Sequence, residues 1–281
     1  MIRLSSNNII AEISSKGAEL QYLSKTNGEN IIWSVDDAYW NRCAPILFPV
    51  VGKLKDDRYY WNDNSYTMKQ HGFARDMEFQ LIEQSANKAV FILNTSESTI
   101  EKYPFHFELT VEYRMEENKL ITTYTVKNTG KEALPFSIGG HPGFALNDNL
   151  ENYFLQFPQD ARAPRHLIKD GLYSGETTEV LFKKKHQLIK EDFSQDAIVV
   201  KQPFFNEVTL VHIDQPIVTM HCSDWTAVGF WTKENAPFFC MEPWWGWADH
   251  VDSTGKFNDK EGLTWLRLHD QRSFSYSIEV H

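Results

Sequence analysis

Between Phe79 and Ile138 the chain reads as strand, polar turn, strand, with no helical stretch in between. The segments FQLIEQ, AVFILNT, FHFELTVEYRM, KLITTYTVKNT and LPFSI follow one another across polar turns such as Ser85-Ala86-Asn87 and Glu116-Glu117-Asn118. FHFELTVEY and LITTYTV alternate apolar and polar residues, the period of two that half-buried antiparallel strands require. A chain committed to several such strands must bury one face of the sheet they form, so the rest of the sequence has to supply a second layer.

The remaining segments fit that demand. Residues 7 to 33 give two short β-type runs around Gly17, and Asn27-Gly28 is a tight-turn signal because both residues tolerate positive φ. The segment PILFPVVG (Pro45 to Gly52) carries two prolines, which keep it out of a helix interior. Arg58 to Met68 reads as a β-hairpin. Strand character returns at Val208–Ile213, Ile217–His221, Ala227–Thr232, Phe238–Glu242 and Phe274–Val280. Residues 147 to 200 are polar and read as loop, with Lys183-Lys184-Lys185 as a solvated charge run. Only short helices are expected, for example at Ser34–Tyr39 and in a turn near Asp259–Leu263. Without a linker or a fixed-period repeat, residues 1–281 read as one large all-β domain, a sandwich or a relative of one.

Composition excludes several functions. The 281 residues carry a formal net charge of −10, which argues against a nucleic-acid partner or an anionic membrane surface. No apolar run approaches the ~20 residues of a membrane span, and MIRLSSNNIIAEIS lacks a signal-type apolar core. Cys43, Cys222 and Cys240 are odd in number and widely spaced, which suggests buried thiols in a reducing cytoplasm. A homodimer is left open.

Three places hold residues suited to chemistry. PFSIGGHPGF (Pro135 to Phe144) ends a strand at Gly139-Gly140, whose backbone can take angles closed to other residues. It then presents His141, a side chain that titrates near neutrality. QHGFAR (Gln70 to Arg75) sets His71 before a glycine after the hairpin, with Arg75 as a fork for a carboxylate, a phosphate or paired hydroxyls. MEPWWGW (Met241 to Trp247) ends an apolar strand on Glu242, a carboxylate expensive to bury unpaired, followed by three tryptophans whose flat rings suit the C–H faces of a sugar. Each has a plainer alternative: a strand-capping histidine, a surface ion pair of Arg75 with Asp76 or Glu78, core tryptophans. His106, His212 and His221 fall in strand patterns, and His166, His186, His250, His269 and His281 in loops or at the terminus; these read as structural. GxSxG, P-loop, GxGxxG and HExxH signatures are missing, as is metal-type histidine pairing.

Two histidines and a glutamate beside aromatic rings suit acid–base work on a sugar, with no metal and no cofactor. The minimal reaction is interconversion of anomers. A base takes the C1 hydroxyl proton, an acid protonates the ring oxygen, the C1–O5 bond opens, and after rotation about C1–C2 the ring closes. Each acid–base contribution is worth roughly 10²–10⁴-fold.

The order and spacing of GAEL (Gly17 to Leu20), PILFPVVG, QHGFAR, YPFHFEL, PFSIGGHPGF and FFCMEPWWG resemble the aldose 1-epimerases, or galactose mutarotase-like proteins, and more closely their LacX-like branch. The resemblance spans nearly the whole chain. It implies a β-supersandwich of mostly antiparallel strands and a cofactor-free mutarotase acting on a hexose or hexose 6-phosphate. By motif, His141 is the general acid, His71 the assisting histidine and Glu242 the general base. Arg42 and Arg75 resemble arginines near the substrate in hexose-6-phosphate mutarotases, and Phe73 and Trp244 complete the expected substrate contacts. A non-catalytic sugar-binding or sensing protein is the first rival. A lyase or hydrolase ranks below it, because glycoside hydrolases use two carboxylates.

Overall fold

The computed structural model describes residues Met1 to His281. Two large antiparallel sheets dominate it. The nine-stranded sheet runs, edge to edge, through Lys185–Gln187, Tyr153–Gln156, Glu207–His212, Gln215–His221, Gln271–Val280, Lys119–Asn128, Phe107–Glu116, Lys88–Asn94 and Gln80–Gln84. The eight-stranded sheet runs through Leu172–Phe182, Ala161–Lys169, Ile198–Lys201, Ala227–Trp231, Phe238–Trp245, Ile138–Gly140 and Ile46–Leu47, and Gly143–Ala145 also pairs with Phe238–Trp245. A small sheet of Ile2–Ser5, Ile9–Ile13 and Leu20–Lys25 stands apart, as does the hairpin Arg58–Trp61/Asn64–Thr67. The sole α-helix is the single turn Glu97–Ile100, and no helix is long and apolar enough to cross a membrane.

The two sheets share a core of 67 buried residues reaching from Leu4 to Val280. Phe107–Glu116 and Lys119–Asn128 alternate strictly between buried and half-exposed positions, as the period-two pattern requires. Phe238–Trp245 is buried at every position. Its odd-numbered residues face the core, where Trp245 packs on Phe274 of the other sheet with ring centroids 5.1 Å apart. Its even-numbered residues face the opposite way. A strand covered on both faces shows no alternation, which is why FFCMEPWW reads as one apolar run.

Three expectations from the sequence need correction. Residues 147–200 are not a loop: they form Tyr153–Gln156, Ala161–Lys169, Leu172–Phe182, Lys185–Gln187 and Ile198–Lys201. The Ala161–Lys169/Leu172–Phe182 hairpin lies at a sheet edge with both faces partly in solvent, so an apolar repeat is not demanded of it. Lys183, Lys184 and Lys185 are exposed, as expected of a solvated run. Ser34–Tyr39 is a tight turn, because Asp36 pairs back on Trp40, and the short helix expected at Asp259–Leu263 is a 3-10 turn at Phe257–Asp259. Cys43, Cys222 and Cys240 are buried free thiols.

Candidate active site

Strand register assembles the site. Glu242 pairs with Gly229, Gly229 with Val199, and Val199 with His166, giving one row across four strands of the eight-stranded sheet. One pair along, Gly139, Trp244, Ala227 and Lys201 form a parallel row. Directly paired residues share a face, so Glu242, Trp244, Lys201 and His166 all look out from the side of the sheet away from the core. They line a cleft of about 370 Å³ together with Trp40, Gln70, His71, Arg75, His141, Tyr173, Asp196, Trp231 and Trp247.

Glycine makes room on this floor. A Cβ on Gly229 would come within 2.8 Å of the Trp244 ring, and one on Gly139 within 2.9 Å. Neither Gly139 nor Gly140 takes a positive φ. They are needed for space rather than for backbone freedom, which corrects the sequence reading.

His71 and His141 arrive from separate turns. His71 has φ 67, a left-handed conformation unusual for a non-glycine residue, and two contacts with Gly52 hold it there. Its N–H donates to the Gly52 carbonyl at 2.8 Å, and its Nδ1 accepts from the Gly52 N–H at 3.1 Å. A backbone N–H can only donate, so Nδ1 is unprotonated and the proton of the neutral ring sits on Nε2. Gln70 lies 3.3 Å from that nitrogen, and the tautomer requires its amide to present oxygen there. Gly72 (φ +72) follows because a Cβ would lie 2.2 Å from the Phe48 carbonyl oxygen.

His141 packs at a tilt against Trp40 with centroids 4.9 Å apart and meets Trp231 and His71 edge-on at 5.7 and 5.6 Å. Its Nε2 lies 3.1 Å from Glu242 Oε2. Thus the three sequence-predicted catalytic residues converge.

Burial sets the protonation of this group. It raises Glu242 well above the usual carboxylate range, Asp196 adding to the shift and the Trp244 indole opposing it. It lowers His141 to about 3, with Arg75 and Arg42 acting in the same direction against a hydrogen bond to the residue's own backbone. His71 is lowered well below 6.5 by burial, by repulsion from His141 whenever that ring is protonated, and by the Arg75 and Arg42 charges. The favoured state of the His141–Glu242 pair is therefore neutral, with one proton between the two groups. Interacting groups this close titrate as a unit.

Buried polar atoms usually have partners. Here Arg75 Nε, His141 Nδ1, His166 Nδ1, Glu242 Oε2 and Trp244 Nε1 have none, and all belong to cleft residues. Glu242 Oε2 touches His141 without an aligned hydrogen bond. Such a concentration of unpaired donors and acceptors suits a polyhydroxylated ligand.

Two expected contacts lie elsewhere. Phe73 is a core residue, packed against Phe48, Tyr103 and Phe107, because the turn after Gly72 points it inward. Arg42 is tied to Asp76 at 2.7 Å and acts on the cleft through its charge rather than as a lining residue. Arg75 does line the cleft, its Nη2 donating to the Gln70 carbonyl, and burial lowers it to about 10, with the Arg42 charge acting in the same direction. Trp244 lines it as expected. Sequence reasoning pointed to Trp247 among the tryptophans of MEPWWGW, which does line the cleft, but missed Trp40, Trp231, Tyr173, Lys201 and His166. The alternation AVGFWT could have placed Trp231 on the Glu242 face. His166 was read as a loop histidine but sits in strand Ala161–Lys169.

His141, Cys240 and Glu242 present ligand atoms within 4.8 Å of one another. A metal would need the Cys240 thiolate, yet burial and the Glu242 charge hold that thiol far above its usual pKa. The donor set does not favour a metal centre.

Known proteins share this fold along its whole length. Protein LacX (chromosomal) of Lactococcus lactis is 28% identical over 99% of each chain. A galactose mutarotase related enzyme from Lactobacillus acidophilus superposes with a TM-score of 0.94 at 30% identity, covering 99% of this chain and 96% of that one. A galactose mutarotase-like protein from Lactobacillus casei superposes at 0.93 with 28% identity, over the full length of both. Residues 1–264 match the aldose 1-epimerase family, and with the fold and full-length relatives this establishes that the chain belongs to it.

Proposed function

We propose that the protein is a cofactor-independent mutarotase that interconverts the α and β anomers of an aldohexose or its derivative, working as one domain around the cleft. The observation that carries this reading is the His141–Glu242 contact of 3.1 Å inside a cleft of unpaired polar groups. A pair holding one mobile proton has what anomerisation needs, an acid and a base side by side. When the proton resides on His141, Glu242 is a carboxylate able to take the C1 hydroxyl proton while the imidazolium protonates O5. The C1–O5 bond opens to the aldehyde, rotation about C1–C2 exposes the other face, and the reverse transfers close the ring and restore the pair. His71, fixed as an Nε2–H donor, is suited to hydrogen-bond an oxygen that gains charge. Arg75, the largest charge acting on His141, stands at the same end and suits a negative oxygen.

A sugar-binding protein without activity would use the tryptophans but has no use for a buried proton pair. Anomer exchange measured by NMR on glucose, galactose and their 6-phosphates decides between the two. Acceleration of exchange supports the mutarotase. Line-broadening of a bound sugar without acceleration supports the binder and contradicts the proposal.

A further inference from the structure

We infer that the cleft has a second working end: Lys201 and His166 form an anion subsite, so that the sugar handled here carries an anionic group remote from its anomeric carbon. This rests on the mutarotase reading for the end at His141 and Glu242.

The two ends are separated by strand geometry. Lys201 shares a row with Trp244, two strands away, and His166 shares a row with Glu242, three strands away. At about 4.8 Å between strands, these are separations of roughly 10 and 14 Å across the sheet. A pyranose whose C1 and O5 meet Glu242 and His141 does not fill that span, and its exocyclic C6 arm, carried on C5 on the other flank of O5 from C1, is the substituent that extends towards Lys201.

The cation there is held but not satisfied. Lys201 Nζ lies 4.0 Å from the Tyr173 ring centroid and 4.2 Å from that of Trp247, so two aromatic faces fix the ammonium electrostatically. Its side chain is only 15% exposed, and its carboxylate neighbour Glu261 stands 3.8 Å off, beyond hydrogen-bond distance and itself 71% exposed. An ammonium has three donors; the protein offers it one loose ion pair to the exposed Glu261 carboxylate, and the rings leave the cleft as the open direction. His166 Nδ1, buried and without a partner, lies at the same end. Charge-assisted hydrogen bonds from an ammonium to phosphate or carboxylate oxygens are about twice as strong as neutral ones. A hydroxyl would leave the exposed Glu261 carboxylate as the only counter-charge to this ammonium. The arginines do not take this role, since Arg42 is paired with Asp76 and Arg75 stands beside His141.

Anomer exchange on matched sugars tests the subsite: glucose, glucose 6-phosphate and glucuronate, and the galactose counterparts. We expect kcat/KM at least tenfold higher for an anionic member than for its neutral parent. Lys201→Met, which keeps a long stem between the two rings, should reduce that ratio tenfold or more. A ratio of one or below in wild type, or a ratio unchanged in Lys201→Met, overturns the subsite. The 6-phosphate and the uronate separate phosphate from carboxylate recognition. If wild type accelerates no sugar, the mutarotase reading fails, and calorimetric titration with glucose 6-phosphate and inorganic phosphate tests the subsite alone. Binding at least tenfold weaker in Lys201→Met supports it, and equal or undetectable binding in both proteins overturns it.

Discussion

The two ends of the cleft are built on opposite principles. At the His141 end, ionisable groups are buried until their neutral forms are favoured. At the Lys201 end, a cation keeps its place because aromatic faces replace part of the water it has lost. The first arrangement makes a proton easy to move between neighbours. The second keeps a charge fixed. Proton transfer and charge recognition call for different surroundings, and one sheet supplies both by changing what stands beside each row of side chains.

Substitutions can break that contrast. The largest effect is expected for Glu242→Gln, which abolishes the mobile proton: kcat should fall by roughly 10²–10⁴ on every sugar, while urea unfolding shows stability equal to or above wild type, because a buried ionisable group has gone. His71→Asn should follow. Asparagine tolerates the positive φ and can still accept from Gly52, so the fold is kept while the Nε2–H donor is lost, with a fall in kcat of roughly 10². Gly229→Val tests the floor between the ends. Its side chain would collide with the Trp244 ring, and a shift of about 1 Å there should lower kcat/KM by up to roughly 10², with an overpacking cost of about 1–3 kcal/mol.

The smallest effect is on stability against pH, and it belongs to the reacting end. His71 and His141 are depressed in the folded protein, so the unfolded chain binds protons that the folded chain refuses. Their contribution is complete above pH 6.5 and is lost as pH falls below it, for His141 down to about 3 and for His71 down to its own lowered pKa, at most about 1.4 kcal/mol per pH unit for each imidazole. Glu242 acts in the opposite sense: its raised pKa favours folding at low pH, and this contribution is lost as pH rises through the folded pKa. Denaturation midpoints measured against pH should therefore fall on the acid side, less steeply in His141→Asn.

The same contrast governs what could be read from the sequence. His71, His141 and Glu242 sit in short motifs where glycine, proline and tryptophan interrupt apolar strands, and such interruptions stand out. The far end is carried by the polar hairpin 161–182 and by strand Ile198–Lys201, whose lysine becomes informative only when register sets it in the same row as Trp244, two strands away. A half-solvated edge hairpin needs no apolar alternation, so its strands looked like loop. Phe73 shows the converse failure: it lies in a legible motif, but only the backbone direction after Gly72 reveals that it faces the core. The sandwich itself was legible because Phe107–Glu116 and Lys119–Asn128 are half-buried in strict alternation.

The most direct test of the central claim, a buried pair sharing one proton, is the pH dependence of kcat/KM for anomer exchange from about pH 5.5 to 8, a window that spans the titration of an ordinary imidazole. The pair keeps its single proton across this range, so the account predicts a profile without the inflection near 6.5 that a solvent-exposed histidine would give. A clear single-proton titration near 6.5 would contradict it, because His141 would then gain and lose its proton independently of Glu242.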